Sequence, residues 1–129
     1  MRKFAIIVVG QHFTGKSKTI NQYLKPLLGL TGNQRNFIFG RCQGCVLSQS
    51  REESGIELNI KIYVKFDILV LAARPEFDNI SKLNEIKNKL ENEGFDIEEI
   101  LIEKNEKNEL YYQQKANKIF EIIKSCCEF

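Results

Sequence analysis

Six apolar residues, Phe4-Ala5-Ile6-Ile7-Val8-Val9, run straight into Gly10-Gln11-His12-Phe13-Thr14-Gly15-Lys16-Ser17, and that junction restricts the folds open to the chain. A helical pattern starts immediately afterwards, with Ile20, Tyr23, Leu24, Leu27 and Leu28 at i, i+3, i+4, i+7 and i+8. Strand, glycine loop and helix in direct succession form a unit suited to holding phosphate. Gly10 and Gly15 admit backbone angles that let successive N–H groups converge on phosphate oxygens. Lys16 can reach the β- and γ-phosphates as a point charge, Ser17 can offer a hydroxyl to Mg²⁺, and the helix start adds its dipole. His12 sits inside the loop, where shaping the loop or facing solvent accounts for it better than a role as a base.

The bulk numbers fit one globular unit. The chain has 129 residues, enough for a single domain (1–129) with a core that stands without disulfide staples. A net charge of +2 is too small to argue for a nucleic-acid or membrane partner. No apolar stretch approaches the roughly 20 residues needed to cross a bilayer. Met1-Arg2-Lys3 leads directly into the first strand, so we expect no signal peptide and a cytoplasmic protein. The four cysteines form Cys42-x-x-Cys45 and the adjacent pair Cys126-Cys127. Vicinal cysteines supply two tetrahedral zinc corners poorly, so reduced thiols are the expectation.

Strand and helix patterns alternate along the chain. We expect strands at Phe4–Val9, Asn36–Phe39, Asp67–Ala73 and Ile97–Ile102. Helices are expected at Lys16–Leu28, with Pro26 bending or ending the last turn, and around Ile80, Leu83, Ile86 and Leu90, ended by Gly94. A last helix is lined by Leu110, Ala116, Ile119, Phe120, Ile122 and Ile123. Ser50–Phe66 is ambiguous. Its alternation from Ile56 to Phe66 suits a strand, but the capping box Ser50-Arg51-Glu52-Glu53 and the need for a crossover favour a helix. The expected fold is α/β, a three-layer sandwich around a mostly parallel four-stranded sheet, with ligand beyond the carboxyl ends of the strands.

Residues 10–17 resemble the Walker A motif of the P-loop NTPase superfamily. The resemblance implies binding of ATP or GTP with Mg²⁺ by Gly10, Gln11, His12, Phe13, Thr14, Gly15, Lys16, Ser17 and the neighbouring Lys18. Leu69–Ala73 looks like the apolar strand of a Walker B element, but it ends Ala72-Ala73-Arg74 where that pattern has a metal-holding aspartate. Asp67 is at the wrong end, about 20 Å from the phosphates. Substitute acids are Glu76 and Asp78, or Glu52 and Glu53, with capping roles competing at Asp78 and Glu53. Phosphoryl transfer needs cations around the transferred group. Arg74, Arg41 and Arg51 all follow expected strands or their loops, and Arg74 joins Lys16 as a candidate catalytic residue. Ser48, Arg51, Arg41 and Glu76 are candidate acceptor or phosphate contacts.

Lys104-Asn105-Glu106-Lys107 is not the base-reading element of a signalling GTPase, and the connections after Pro75 are too short for a kinase lid. A lid-free, kinase-like P-loop protein is therefore the expectation, either a phosphotransferase or hydrolase, or a nucleotide switch acting through a protein partner. A small-molecule acceptor is the other open partner.

Overall fold

The structure, a computed structural model, describes residues 3–10, 15–47, 60–73, 83–103 and 109–127. At its centre is β1 (Lys3–Val9), in which every side chain from Phe4 to Val9 is buried. A strand covered on both faces reads as an unbroken apolar run, and its neighbours explain why. It pairs in parallel with β4 (Ile68–Ala73) on one side and with β5 (Phe95–Leu101) on the other. Beyond β4, β3 (Cys42–Val46) continues in parallel, and β2 (Asn36–Phe39) closes the sheet antiparallel to β3. The order across the sheet is β2-β3-β4-β1-β5.

Helices cover both faces. α1 runs over residues 16–27 in three contiguous segments, Lys16–Lys18, Thr19–Leu24 and Lys25–Leu27. The middle segment is π-helical, with the Lys25 N–H donating to the Ile20 carbonyl. Pro26 follows with no N–H of its own, so the ladder is interrupted there in any case. α2 (Ile60–Tyr63) is a single turn, α3 is Leu83–Asn92 and α4 is Glu109–Cys127. Ile20 and Leu24 of α1 join Ala116, Ile119 and Ile123 of α4 over the Phe4, Ile6 and Val8 face. Leu83, Ile86 and Leu90 of α3 pack on the opposite face, formed by Ala5, Ile7 and Val9. Burying each such side chain contributes about 1.5–3 kcal/mol, which makes these two layers the main stabilising term.

The fold is α/β as expected, but the sheet is mixed and five-stranded rather than mostly parallel and four-stranded. The added strand is β3. Gly40, with φ of 57°, and Arg41 turn the chain back on itself immediately after β2. Of the segment expected to be helical from Ser50, Ile60–Tyr63 is helical, and residues 48–59 lie outside those described. In α4 the buried stripe includes Tyr112, whereas Leu110, expected in the core, is 62% exposed. None of the described helices is long and apolar enough to cross a membrane.

The thiols also differ from expectation. Cys42, at the start of β3, forms a disulfide with Cys127 at the end of α4, across a Cα–Cα distance of 5.6 Å. Cys45 and Cys126 are free. The bridge closes a separation of 85 residues and ties the hairpin to the last helix. Constraining so long a loop in the unfolded chain stabilises the fold, typically by about 2–4 kcal/mol. Reduction with a phosphine should therefore lower the urea midpoint by a corresponding amount, and Cys42→Ser should abolish the difference between oxidised and reduced protein.

Candidate functional site

The carboxyl end of β1 is held from both sides. Gly10 N–H donates to the Ala73 carbonyl of β4 at 3.0 Å, and Ile102 N–H donates to the Val9 carbonyl at 2.8 Å. The connections from adjacent β1 and β4 then lead to helices on opposite faces, α1 to one and α3 to the other. In α/β sheets, strand ends where the connections diverge in this way are where ligands bind.

The chain re-enters at Gly15 with φ of 104° and ψ of 18°, a left-handed conformation that glycine adopts freely. Thr19 N–H donates to the Gly15 carbonyl at 2.9 Å, which begins the helical ladder at Gly15. Lys16 is only 4% exposed, and its ammonium donates to the Gly10 carbonyl. A buried lysine needs a partner for its charge, and the Gly10 carbonyl at the other end of the loop supplies a main-chain oxygen. The geometry brings Gly10, Gly15 and Lys16 together at the top of β1. Ser17, one residue on, is exposed at the helix start.

A side-chain network absent from the sequence expectations braces this corner. Tyr112 of α4 is buried against Gly15, so closely that a β-carbon there would lie 2.5 Å from its Cε1. The Lys18 ammonium lies 5.6 Å from the centre of the Tyr112 ring. Lys18 also bridges Glu109 at the start of α4, and the Tyr23 hydroxyl donates to the other oxygen of the same carboxylate. Lys18 first, then Tyr23, hold the Glu109 carboxyl below the usual range, while hydrogen bonding to Glu109 raises both Lys18 and Tyr23. The sequence carries a trace of this contact: Tyr112 is four residues before Ala116 and in helical register with Ile119 and Ile123.

The other candidates divide in two. Gln11, His12, Phe13, Thr14, Ser48, Arg51, Arg74 and Glu76 lie outside the described residues, as do Glu52, Glu53 and Asp78. Arg41 is described, and its place corrects the expectation. It sits in the β2–β3 turn before Cys42, whereas Gly44 of the same strand aligns with Ile68 at the amino end of β4. The hairpin therefore sends Arg41 to the end of the sheet opposite Gly10. Asp67 lies at that same amino end. Its carboxylate accepts from the Gln43 N–H at 2.9 Å, and its backbone N–H donates to the Gln43 carbonyl. Among the described residues no group of three or more His, Cys, Asp or Glu could hold a metal ion.

No protein-family model matches this chain, and no curated protein or solved structure matches it either.

Two outcomes test the corner. Gly29 has φ of 75° with nothing within 4 Å of an added β-carbon, so Gly29→Ala should cost only the backbone penalty of about 1–2 kcal/mol. Gly15→Ala should cost clearly more in a urea titration, because the methyl group also meets Tyr112. The Glu109 contribution to stability is present above the ordinary carboxylate pKa and fades as pH falls through its depressed folded value. The Lys18 contribution persists below the ordinary lysine range and is lost as pH rises through its raised value. Glu109→Gln should therefore melt below the parent protein at neutral pH, with the gap closing on acidification and narrowing again at strongly alkaline pH.

Proposed function

We propose that this chain is a Mg²⁺-dependent P-loop protein that binds ATP or GTP at the Gly10–Lys18 loop and acts on the terminal phosphoryl group as a small, lid-free kinase-like phosphotransferase or hydrolase. The observation that carries the reading is the buried Lys16 ammonium turned back on the Gly10 carbonyl. A cation stored there can exchange that main-chain oxygen for phosphate oxygens. Gly15, Lys16 and Ser17 then supply amides at a helix start, which favours anions. Ser17 would hold the metal together with water and phosphate, and the metal would supply charge neutralisation. Arg74 directly follows β4, whose last residue accepts the Gly10 N–H, so it is the cation next along the chain from this corner. A nucleotide-fuelled role implies the cytoplasm, where thiol pools would expose the Cys42–Cys127 disulfide to exchange.

A second reading has one observation in its favour. β4 ends in Ala72-Ala73 with no carboxylate. A protein that binds nucleotide without turnover, and reports its presence to a protein partner, has no need of that acid.

A ligand present at a hundred times its Kd stabilises a protein by about 2.7 kcal/mol. Millimolar Mg–ATP or Mg–GTP should raise the melting temperature of the parent protein, and Lys16→Ala, verified as folded by circular dichroism, should lose the whole shift. Phosphate release or acceptor phosphorylation that Lys16→Ala eliminates supports the enzyme. Binding without turnover, alone or with added lysate, supports the switch. No shift with either nucleotide contradicts both.

A further inference from the structure

The two outer strands of the sheet are finished differently. β5 carries Asp96, Glu98 and Glu99, all exposed, and charges of this kind discourage a further strand from pairing. β2 carries no charge and no proline, and its Ile38 is 77% exposed. The antiparallel register shows which backbone groups β2 leaves over. Val46 N–H donates to the Arg35 carbonyl at 2.9 Å, and Phe37 and Phe39 stand opposite Gly44 and Cys42. Residues 35, 37 and 39 therefore direct their polar groups to β3, while Asn36 and Ile38 direct theirs outward. No strand among the described residues takes them up.

An open groove of about 1040 Å³ follows this edge. Leu28 and Leu30 line it from one face of the sheet, and Tyr63 and Phe66 line it from the other. Ile62, 57% exposed, stands at the same groove as Ile38. Among the described residues no aspartate or glutamate lines it, but Arg35 and Lys65 do. Both cations act on the Cys45 thiol within the groove, lowering its pKa against the larger, opposite effect of burial.

We propose that this edge takes up an extended segment of a partner protein, alternating acidic and apolar residues, as a sixth strand beside β2. Its main chain pairs with the outward groups of Asn36 and Ile38, its apolar side chains cover Ile38 and Ile62, and its carboxylates meet Arg35 and Lys65. Charge argues against a second β2 edge in the groove. Two β2 edges facing each other would oppose Arg35 and Lys65 to themselves. Seating β5 of another copy there would give a head-to-tail contact that builds a ring or a filament, which sedimentation detects. The apolar walls and the strand edge favour a peptide over a nucleic acid. This surface is separate from Lys16, so the proposal stands whether or not nucleotide binds.

The test uses the full chain and two fluorescein-labelled heptapeptides, Val-Glu-Val-Glu-Val-Glu-Val and its Val-Lys counterpart, followed by fluorescence anisotropy. We expect saturable binding of the acidic peptide, at least tenfold weaker binding of the basic one, and loss of binding when alternate peptide amides are N-methylated. The Arg35→Glu, Lys65→Glu double variant should reverse the preference. Ile38→Ala, at an exposed position that leaves the fold intact, should weaken the acidic peptide at least threefold. Lys16→Ala should leave binding unchanged. The proposal is overturned by absence of saturable binding up to millimolar peptide, by equal affinity for the two peptides, or by unaltered binding in the double variant. It is also overturned if sedimentation shows the edge filled by self-association, or if labelled oligouridylate binds more tightly than the acidic peptide.

Discussion

Parallel pairing of β1 on both of its sides is the constraint from which the architecture follows. A strand with parallel neighbours on both sides must send its connections across the faces of the sheet, and helices then bury both faces. In this chain that produces the two apolar layers either side of Phe4–Val9. It also fixes the height at which β1 ends, because Gly10 and Val9 are each bonded to a neighbouring strand. Gly15, Lys16 and the start of α1 are positioned from that point. The buried ammonium of Lys16 follows from a short loop returning to the strand end that it left.

Much of this was legible in the residues because the relevant signals were local. The apolar run at Phe4–Val9, the glycine spacing from 10 to 15 and the helical register from Ile20 to Leu24 occupy one continuous stretch. The short strand at Asn36–Phe39 falls where the pattern put it. β3 gives little signal in the sequence because Gln43 and Gly44 interrupt its apolar character within only five residues. Yet Gly44 is glycine for a packing reason, since the Phe37 ring occupies the space of its missing side chain. A glycine inside an otherwise β-like run, four residues after another glycine, was the available signal. Missing that hairpin displaced Arg41 to the wrong end of the sheet.

The disulfide and the Lys18–Tyr23–Glu109 clamp left no readable trace in the sequence. The pairing of Cys42 with Cys127 spans 85 residues, and spacing alone does not determine cysteine connectivity. The clamp of Lys18, Tyr23 and Glu109 joins α1 to α4, and each of its members would pass for an ordinary surface residue in sequence. These long-range ties converge on opposite ends of α4. Its first turn braces the candidate phosphate-binding corner, and its last turn anchors the β2–β3 hairpin, whose outer edge no other described strand covers. One helix thus connects the candidate nucleotide site to the β2–β3 hairpin.

The central claim is that main-chain amides at the top of β1, gathered around one buried ammonium, grip a polyphosphate. The most direct measurement is a ¹⁵N-resolved NMR titration with Mg–ATP and Mg–GTP. The account predicts saturable shifts concentrated at the amides of Gly15, Lys16 and Ser17, with Gly40 and Arg41 at the far end of the sheet unmoved. Unchanged spectra with both nucleotides, or shifts confined to residues away from this corner, would contradict it.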